Sequence, residues 1–259
     1  MREEAVRLLR CPLCGRELRL RERTLCCAER HSFDLARQGY VNLLGRHSPR
    51  NADTAEMVAA RERWLGAGWY LPIAEAVAEA VAPSHTIVEV GAGTGYYLAH
   101  TLTRLDGGLG LATDVSVPAC RRAARAHPLA AAIVADTWAG LPLGSHAFDA
   151  VLCVFAPRNY AEFRRLLARS GQVVVVVPNE GHLAELRAAN GLLTIPAGKA
   201  ADVEQQLGRA RVRRIRFPLE LTAAAAADLV GMGPNAFHGR GSTDGLLTQA
   251  DVSVIVGRA

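Results

Sequence analysis

Beyond Pro83 and Ser84 the chain alternates apolar runs of strand length with stretches of helical pattern, which predicts a doubly wound α/β domain over residues 84–259. Strands are expected at 86–90, 109–113, 131–135, 148–155 and 172–177, with helices at 96–105 and 117–126. Val173 to Val177 is apolar at every position, as befits a parallel strand covered on both faces. Farther on, 181–189 and 222–230 read as helices and 212–217 and 252–256 as strands. Upstream the pattern differs. Residues 46–56 are polar without periodicity, and 57–82 read as helical, interrupted by Gly66, Gly68 and Pro72. The expected division is therefore a small domain over 1–45, a helical connector over 46–83 and the α/β domain over 84–259.

With 259 residues, 50% of them hydrophobic, the chain can bury a sizeable core. Half of its first ten residues are charged, and no stretch reaches the roughly 18 consecutive apolar residues of a membrane span. The expectation is a soluble, cytoplasmic protein without a membrane partner. The net charge of +5 is unevenly placed: residues 1–50 carry 11 arginines against 6 acidic residues, and the remaining 19 basic and 19 acidic residues cancel. A cationic surface confined to one end suits a phosphate backbone, although a merely solvated basic face has the same composition.

That basic end also holds most of the cysteine. Cys11 and Cys14 form a C-x2-C knuckle, and Cys27 with His31 forms a C-x3-H knuckle twelve residues later. Four such ligands suit one tetrahedral Zn2+, which would hold together a segment too short to bury a core of its own. Cys26 adjoins Cys27 and is an alternative ligand. Cys120 and Cys153 stand alone in apolar surroundings and read as core residues. No disulfide framework is visible, in keeping with a reducing compartment.

A second chemistry-bearing motif is Glu89-Val90-Gly91-Ala92-Gly93-Thr94-Gly95, a glycine-rich turn between the first strand of the α/β domain and a helix. Glycine there lets a ligand approach the backbone. A dinucleotide fold wants its third glycine at position 96, where Tyr96 would crowd a pyrophosphate, so the turn points to S-adenosylmethionine. Asp114 ends the second strand about twenty residues on, where a carboxylate can accept both ribose hydroxyls. Asp136, at the end of the third, sits where an acceptor meets an adenine amino group, or else is a turn residue.

These residues resemble the large-subunit (23S) rRNA guanine-N1 methyltransferases, and more closely the branch that gives macrolide producers resistance to tylosin-type antibiotics. The resemblance is carried by Cys11-Pro12-x-Cys14, Cys27-x3-His31 with Phe33-Asp34, and Gly39-Tyr40-Val41-Asn42-Leu43-Leu44. It continues through Asp53, Met57, Arg61, Gly68, Tyr70, Pro72, the glycine turn, Phe155-Ala156-Pro157-Arg158-Asn159, His182-Leu183-x-Glu185-Leu186 and Met232-x-Pro234. Departures are Phe237 where tryptophan is usual, Gly171-Gln172 in place of a double glycine, and a short glycine-rich stretch at 239–247.

The resemblance implies a class I S-adenosylmethionine-dependent methyltransferase with a Rossmann-like, mixed seven-stranded sheet and a small N-terminal zinc domain that helps hold 23S rRNA. It implies that Tyr70, Gly93, Thr94 and His182 contact the methyl donor and that the enzyme is a homodimer; Gly91, Gly95, Asp114 and Asp136, read from the turn and the strand ends, complete the expected donor site. A guanine N1 carries a proton that must be accepted, so Asn159 is a candidate for the base edge and His182 or Glu185 for general base. Two other classes share part of this pattern. A natural-product methyltransferase would keep everything from residue 84 but has little use for a basic zinc knuckle; a non-enzymatic RNA-binding module would need no glycine turn with Asp114 in register. The modular reading further predicts that Cys14→Ser releases zinc and unfolds the first forty residues while donor binding largely survives.

Overall fold

The computed structural model describes residues 1–45, 52–81, 83–105, 107–233 and 245–258. Pro234, Phe237 and residues 239–244, singled out in the sequence, lie outside the described residues. The amino-terminal segment forms α1 (Glu3–Leu8), a three-stranded antiparallel sheet of β1 (Arg19–Arg21), β2 (Thr24–Cys26) and β3 (Ser32–Asp34), and the two-residue β4 (Val41–Asn42). Two helices follow, α2 (Ala55–Gly66) and α3 (Leu71–Ala80). Thr54 starts α2 by accepting the Met57 N–H on its hydroxyl at 3.3 Å, and Gly68, at φ +82°, turns the chain into α3, whose first turn takes Pro72 without losing a bond. The helical reading of 57–82 thus resolves into two helices broken at its glycines.

The α/β domain runs β5 (Thr86–Val90), α4 (Tyr96–Arg104), β6 (Leu109–Asp114), α5 (Val117–Ala123), β7 (Ala130–Val134), β8 (Phe148–Val154), α6 (Tyr160–Leu166), β9 (Leu167–Pro178), α7 (Ala184–Asn190), α8 (Lys199–Leu207), β10 (Arg211–Leu221), α9 (Ala223–Gly231) and β11 (Leu246–Gly257). Its sheet has the order β10-β11-β9-β8-β5-β6-β7-β4. The six strands from β9 to β4 are parallel, and β11 runs antiparallel to both β9 and β10. Val173 to Val177 are fully buried, as a strand covered on both faces requires.

One expectation needs correcting. Among the described residues the sheet has eight strands, because β4 of the amino-terminal segment pairs in parallel with β7, Val41 opposite Ile133 and Asn42 opposite Val134. Leu9 also bridges to Leu143, and Ala5, Leu9, Val41 and Leu43 are buried in one cluster with Leu111, Ile133 and Phe148. The segment does not stand apart on its metal; α1 and β4 share the core of the α/β domain, and only β1–β3 form a sheet of their own. At the opposite edge β10 is longer than its apolar residues suggest, because Arg211, Arg213, Arg214 and Arg216 are exposed along it. Charge on an edge strand opposes edge-to-edge pairing. No helix among the described residues is long and apolar enough to cross a membrane.

Candidate active site and metal centre

The turn after α1 and the turn between β2 and β3 bring Cys11, Cys14, Cys27 and His31 together, all four ligand atoms within 4.8 Å of one another. Cys14 Sγ lies 3.7 Å from Cys27 Sγ, and His31 Nδ1 lies 3.4 Å from Cys11 Sγ and 3.5 Å from Cys27 Sγ. Tetrahedral zinc with bonds of about 2.3 Å to sulfur and 2.0–2.1 Å to nitrogen separates its ligands by about 3.8 Å (S to S) and 3.5 Å (S to N), so the residues fit the ion. Cys27 belongs to this cluster, whereas Cys26 is half-buried in β2 and outside it. Cys120 and Cys153 are buried in the core as expected.

The glycine turn leaves β5 at the carboxyl ends of the parallel strands. Gly91, at φ +68°, passes so close to the β8 loop that a Cβ on it would lie 2.5 Å from Ala156 Cβ. Gly93, at φ +55°, lies under Arg61, whose Nη1 would be 2.9 Å from a Cβ there. The Gly93 N–H donates to Asp114 Oδ2 and the Ser116 N–H to Asp114 Oδ1, each at 2.8 Å. Burial raises the Asp114 carboxyl, and these two donors oppose the rise. Each carboxylate oxygen keeps lone-pair capacity for a ligand hydroxyl. Buried Glu89 accepts the Leu98 N–H at 3.0 Å and ties the strand to α4; burial pushes its carboxyl up to about 8. Thr94 is buried just before α4, and Gly95, at φ +76°, packs so closely on α5 that a Cβ there would lie 3.0 Å from Ala123 Cα.

An aromatic wall stands beside the turn. Tyr70, Tyr97, Phe155 and His182 have neighbouring ring centroids 5.9 to 6.4 Å apart, and Phe155 lies nearly parallel to His182. The Asp251 N–H donates to His182 Nδ1 at 3.1 Å, which leaves the proton on Nε2, directed at Tyr70 Oη 3.3 Å away. Burial, reinforced by the Arg187 guanidinium, pushes His182 down to about 4, so the ring is neutral. Phe155 is 38% exposed and holds φ +54°, a strained backbone for a bulky residue at the end of the central strand β8.

The other sequence candidates are placed differently. Asn159 caps α6, its Oδ1 accepting the Glu162 N–H at 3.2 Å while its Nδ2 donates to the Thr137 carbonyl at 2.9 Å. Its amide is spent on joining two loops. Glu185 is exposed on α7 and accepts from the Thr248 hydroxyl at 2.7 Å, a bond that lowers its carboxyl below the ordinary range. Asp136 accepts the Trp138 N–H at 2.9 Å, making the turn that was its alternative reading. It also lines a groove of about 790 Å3 between the metal segment and the loop after β7, together with Arg10, Leu13, Leu44 and Leu141.

Three features were not readable as site residues. Arg61 and Asp53 form an ion pair over the glycine turn, and nothing in their spacing announces it. The left-handed Phe155 sits inside an apolar run that reads simply as strand. Asp251, buried and chelated by Arg214 at 2.8 and 2.5 Å, anchors the strand segment whose N–H fixes the His182 tautomer.

Fold and site together define a class I S-adenosylmethionine-dependent methyltransferase with a zinc ribbon at its amino end. The family model for the RlmA N-terminal zinc ribbon matches residues 9–49. The chain is 45% identical over 249 residues to the 23S rRNA (guanine(748)-N(1))-methyltransferase of Streptomyces fradiae, covering 92% of this chain and 89% of that protein. It is 46% identical over 256 residues to a Micromonospora griseorubida protein assigned by name to the 23S rRNA (guanine-N(1)-)-methyltransferases, covering 89% of this chain and 87% of that one. The chain belongs to this 23S rRNA (guanine-N(1)-)-methyltransferase family. Among solved structures, a Haemonchus contortus phosphoethanolamine N-methyltransferase, held in complex with S-adenosylhomocysteine, shares the fold at a TM-score of 0.51 and 15% identity, over 81% of this chain and 59% of that one.

Proposed function

We propose that this protein methylates N1 of a guanine in a hairpin loop of 23S rRNA, acting in the cytoplasm as a homodimer and conferring macrolide resistance. The observation that carries the reading is the seam between its two halves. Pairing of β4 with β7 sets a segment rich in arginine two strands from β6, whose carboxyl end bears Asp114, so an RNA held by the ribbon would lie beside the donor site. A natural-product methyltransferase gains nothing from that seam.

S-adenosylmethionine supplies a methyl group already activated by its sulfonium charge, which leaves the protein mainly a task of placement. In this reading Asp114, held by the Gly93 and Ser116 N–H groups, accepts the ribose hydroxyls. Guanine N1 is normally inside a base pair, so the target must be unpaired or extruded. Phe155, propped outward by its backbone, offers a face on which the base can stack beside Tyr70 and His182. His182 is assigned to positioning: its one lone pair is taken by a backbone N–H, and its Nε2 proton holds the Tyr70 phenol. Asn159 fixes the loop that carries Phe155. With the His182 lone pair taken, Glu185, exposed on α7, is the remaining candidate for the N1 proton, and the Thr248 hydroxyl that lowers its carboxyl makes it a weak base for that role.

The test is to incubate the metal-replete protein with labelled donor and either stripped 23S rRNA or a total small-metabolite extract. Label in the rRNA alone is expected; label in a metabolite and none in rRNA refutes the reading. Light scattering reads the dimer, and growth on a macrolide with and without the gene reads resistance.

A further inference from the structure

The Arg61 and Asp53 pair occupies the space over the glycine turn. Arg61 Nη1 meets Asp53 Oδ2 at 2.5 Å, and Nη2 donates to the Met232 carbonyl at 2.7 Å at the end of α9. The Ser116 hydroxyl donates to the Asp53 carbonyl at 2.8 Å, and the Ser116 N–H holds Asp114. Four parts of the chain thus converge on one ion pair, each side chain about a quarter exposed. Partly exposed pairs add little stability, so stability gives no reason for this convergence. Position does. Asp114 marks the ribose, and Gly93, which it holds directly, lies under the guanidinium. A ligand whose ribose lies on Asp114 and whose remainder follows the glycine turn must displace or join this pair.

The remainder of the donor is an amino acid, one carboxylate and one ammonium on the same carbon. We propose that Arg61 and Asp53 are a clamp for that zwitterion: the pair opens, the guanidinium takes the donor carboxylate and the Asp53 carboxylate takes the ammonium. Each charge exchanges one partner for another of the same sign, so no charge is stranded, and a guanidinium is suited to a carboxylate by its two-pronged geometry. In the absence of donor the two side chains satisfy each other and fill the place. The assignment rests on the protein using S-adenosylmethionine, and its test separates the two.

Titration calorimetry on the full-length, metal-replete protein should use S-adenosylhomocysteine, its decarboxylated analogue S-adenosyl-3-thiopropylamine, and 5′-methylthioadenosine, which lacks the whole amino-acid end. The wild type should bind S-adenosylhomocysteine at least about tenfold more tightly than the decarboxylated analogue, a charge-assisted bond being at stake. Arg61→Gln should erase that preference. Asp53→Asn should weaken S-adenosylhomocysteine by about tenfold. Both variants should bind 5′-methylthioadenosine within about twofold of wild type, which reports an intact adenosine site. A wild type indifferent to the carboxylate overturns the proposal without any variant having to fold. So does Arg61→Gln with the preference intact, or equal loss of all three ligands in both variants. A wild type that binds none of the three refutes the donor itself.

Discussion

Replacing Gly91 by alanine tests how closely the glycine turn is fitted to the β8 loop. The new methyl would stand 2.5 Å from Ala156 Cβ, whereas carbons rest about 3.5–4.0 Å apart, so the two segments must separate by about 1 Å. Overpacking of that kind costs about 1–3 kcal/mol. The left-handed φ of +68° costs an alanine about 1–2 kcal/mol more, for a total of about 2–5 kcal/mol. Gly191 isolates the second contribution: it holds φ +60° with no atom within 4 Å of its would-be Cβ, so Gly191→Ala should cost only about 1–2 kcal/mol. Ala156→Gly isolates the first, because it removes the struck atom. Urea unfolding of the four proteins, wild type, G91A, A156G and the double variant, gives the cycle. The double variant should be more stable than the sum of the single losses by about 1–3 kcal/mol. Strict additivity, or a G91A no worse than G191A, would show that the turn and the β8 loop are not in contact.

Further outcomes follow from the ribbon, the histidine and the exposed phenylalanine. Because α1 and β4 share the core, removing zinc by chelation or by Cys14→Ser should expose β1–β3 amides to exchange first and also lower the Tm of the whole protein, by about 2–4 °C for each kcal/mol lost. A melted ribbon with Tm unchanged would restore full modularity. His182 is depressed to about 4, so the neutral ring's contribution is complete above the ordinary 6.5 and is lost as pH falls toward 4, where only the unfolded chain gains the proton. Unfolding of wild type and His182→Asn should therefore show a stability gap smaller by about 1 kcal/mol at pH 5.5 than at pH 7.5, and a gap that widens at low pH contradicts a neutral ring. Phe155→Ala should lower kcat/KM on rRNA by about 10–100-fold, the worth of one stacked base, with S-adenosylhomocysteine affinity nearly unchanged. Phe155→Gly should be more stable than Phe155→Ala by about 1–2 kcal/mol, since it relieves the left-handed backbone, and no more active; an active glycine variant rules out stacking.

What the sequence revealed was whatever leaves a periodic or spaced trace. The five valines of β9, the glycine turn with Asp114 one strand on, and the two ligand knuckles each follow from local chemistry, and the structure brings them together. Where tertiary contact decides, the pattern was silent. β4 is only two residues long, and its pairing with β7 depends on Ile133 and Val134, some ninety positions away. α6 owes its start to an asparagine cap that looked like a base-edge residue, and β10 carries its arginines outward on an edge. His182 stands in the aromatic wall beside the glycine turn, but its tautomer depends on an N–H from Asp251, a residue no spacing rule connects to it. The Arg61 and Asp53 pair is visible only once α2 is laid across the glycine turn.

The central claim is that a basic zinc ribbon, sewn into the sheet of a methyltransferase, delivers one ribosomal guanine to the donor. N1 methylation blocks base pairing, so primer extension on 23S rRNA from cells with and without this gene reads it directly. A single gene-dependent stop at one hairpin-loop guanine is predicted, and purified metal-replete protein should recreate the same stop. Identical extension products from both cell types, with purified protein leaving the rRNA unmodified, would contradict the account.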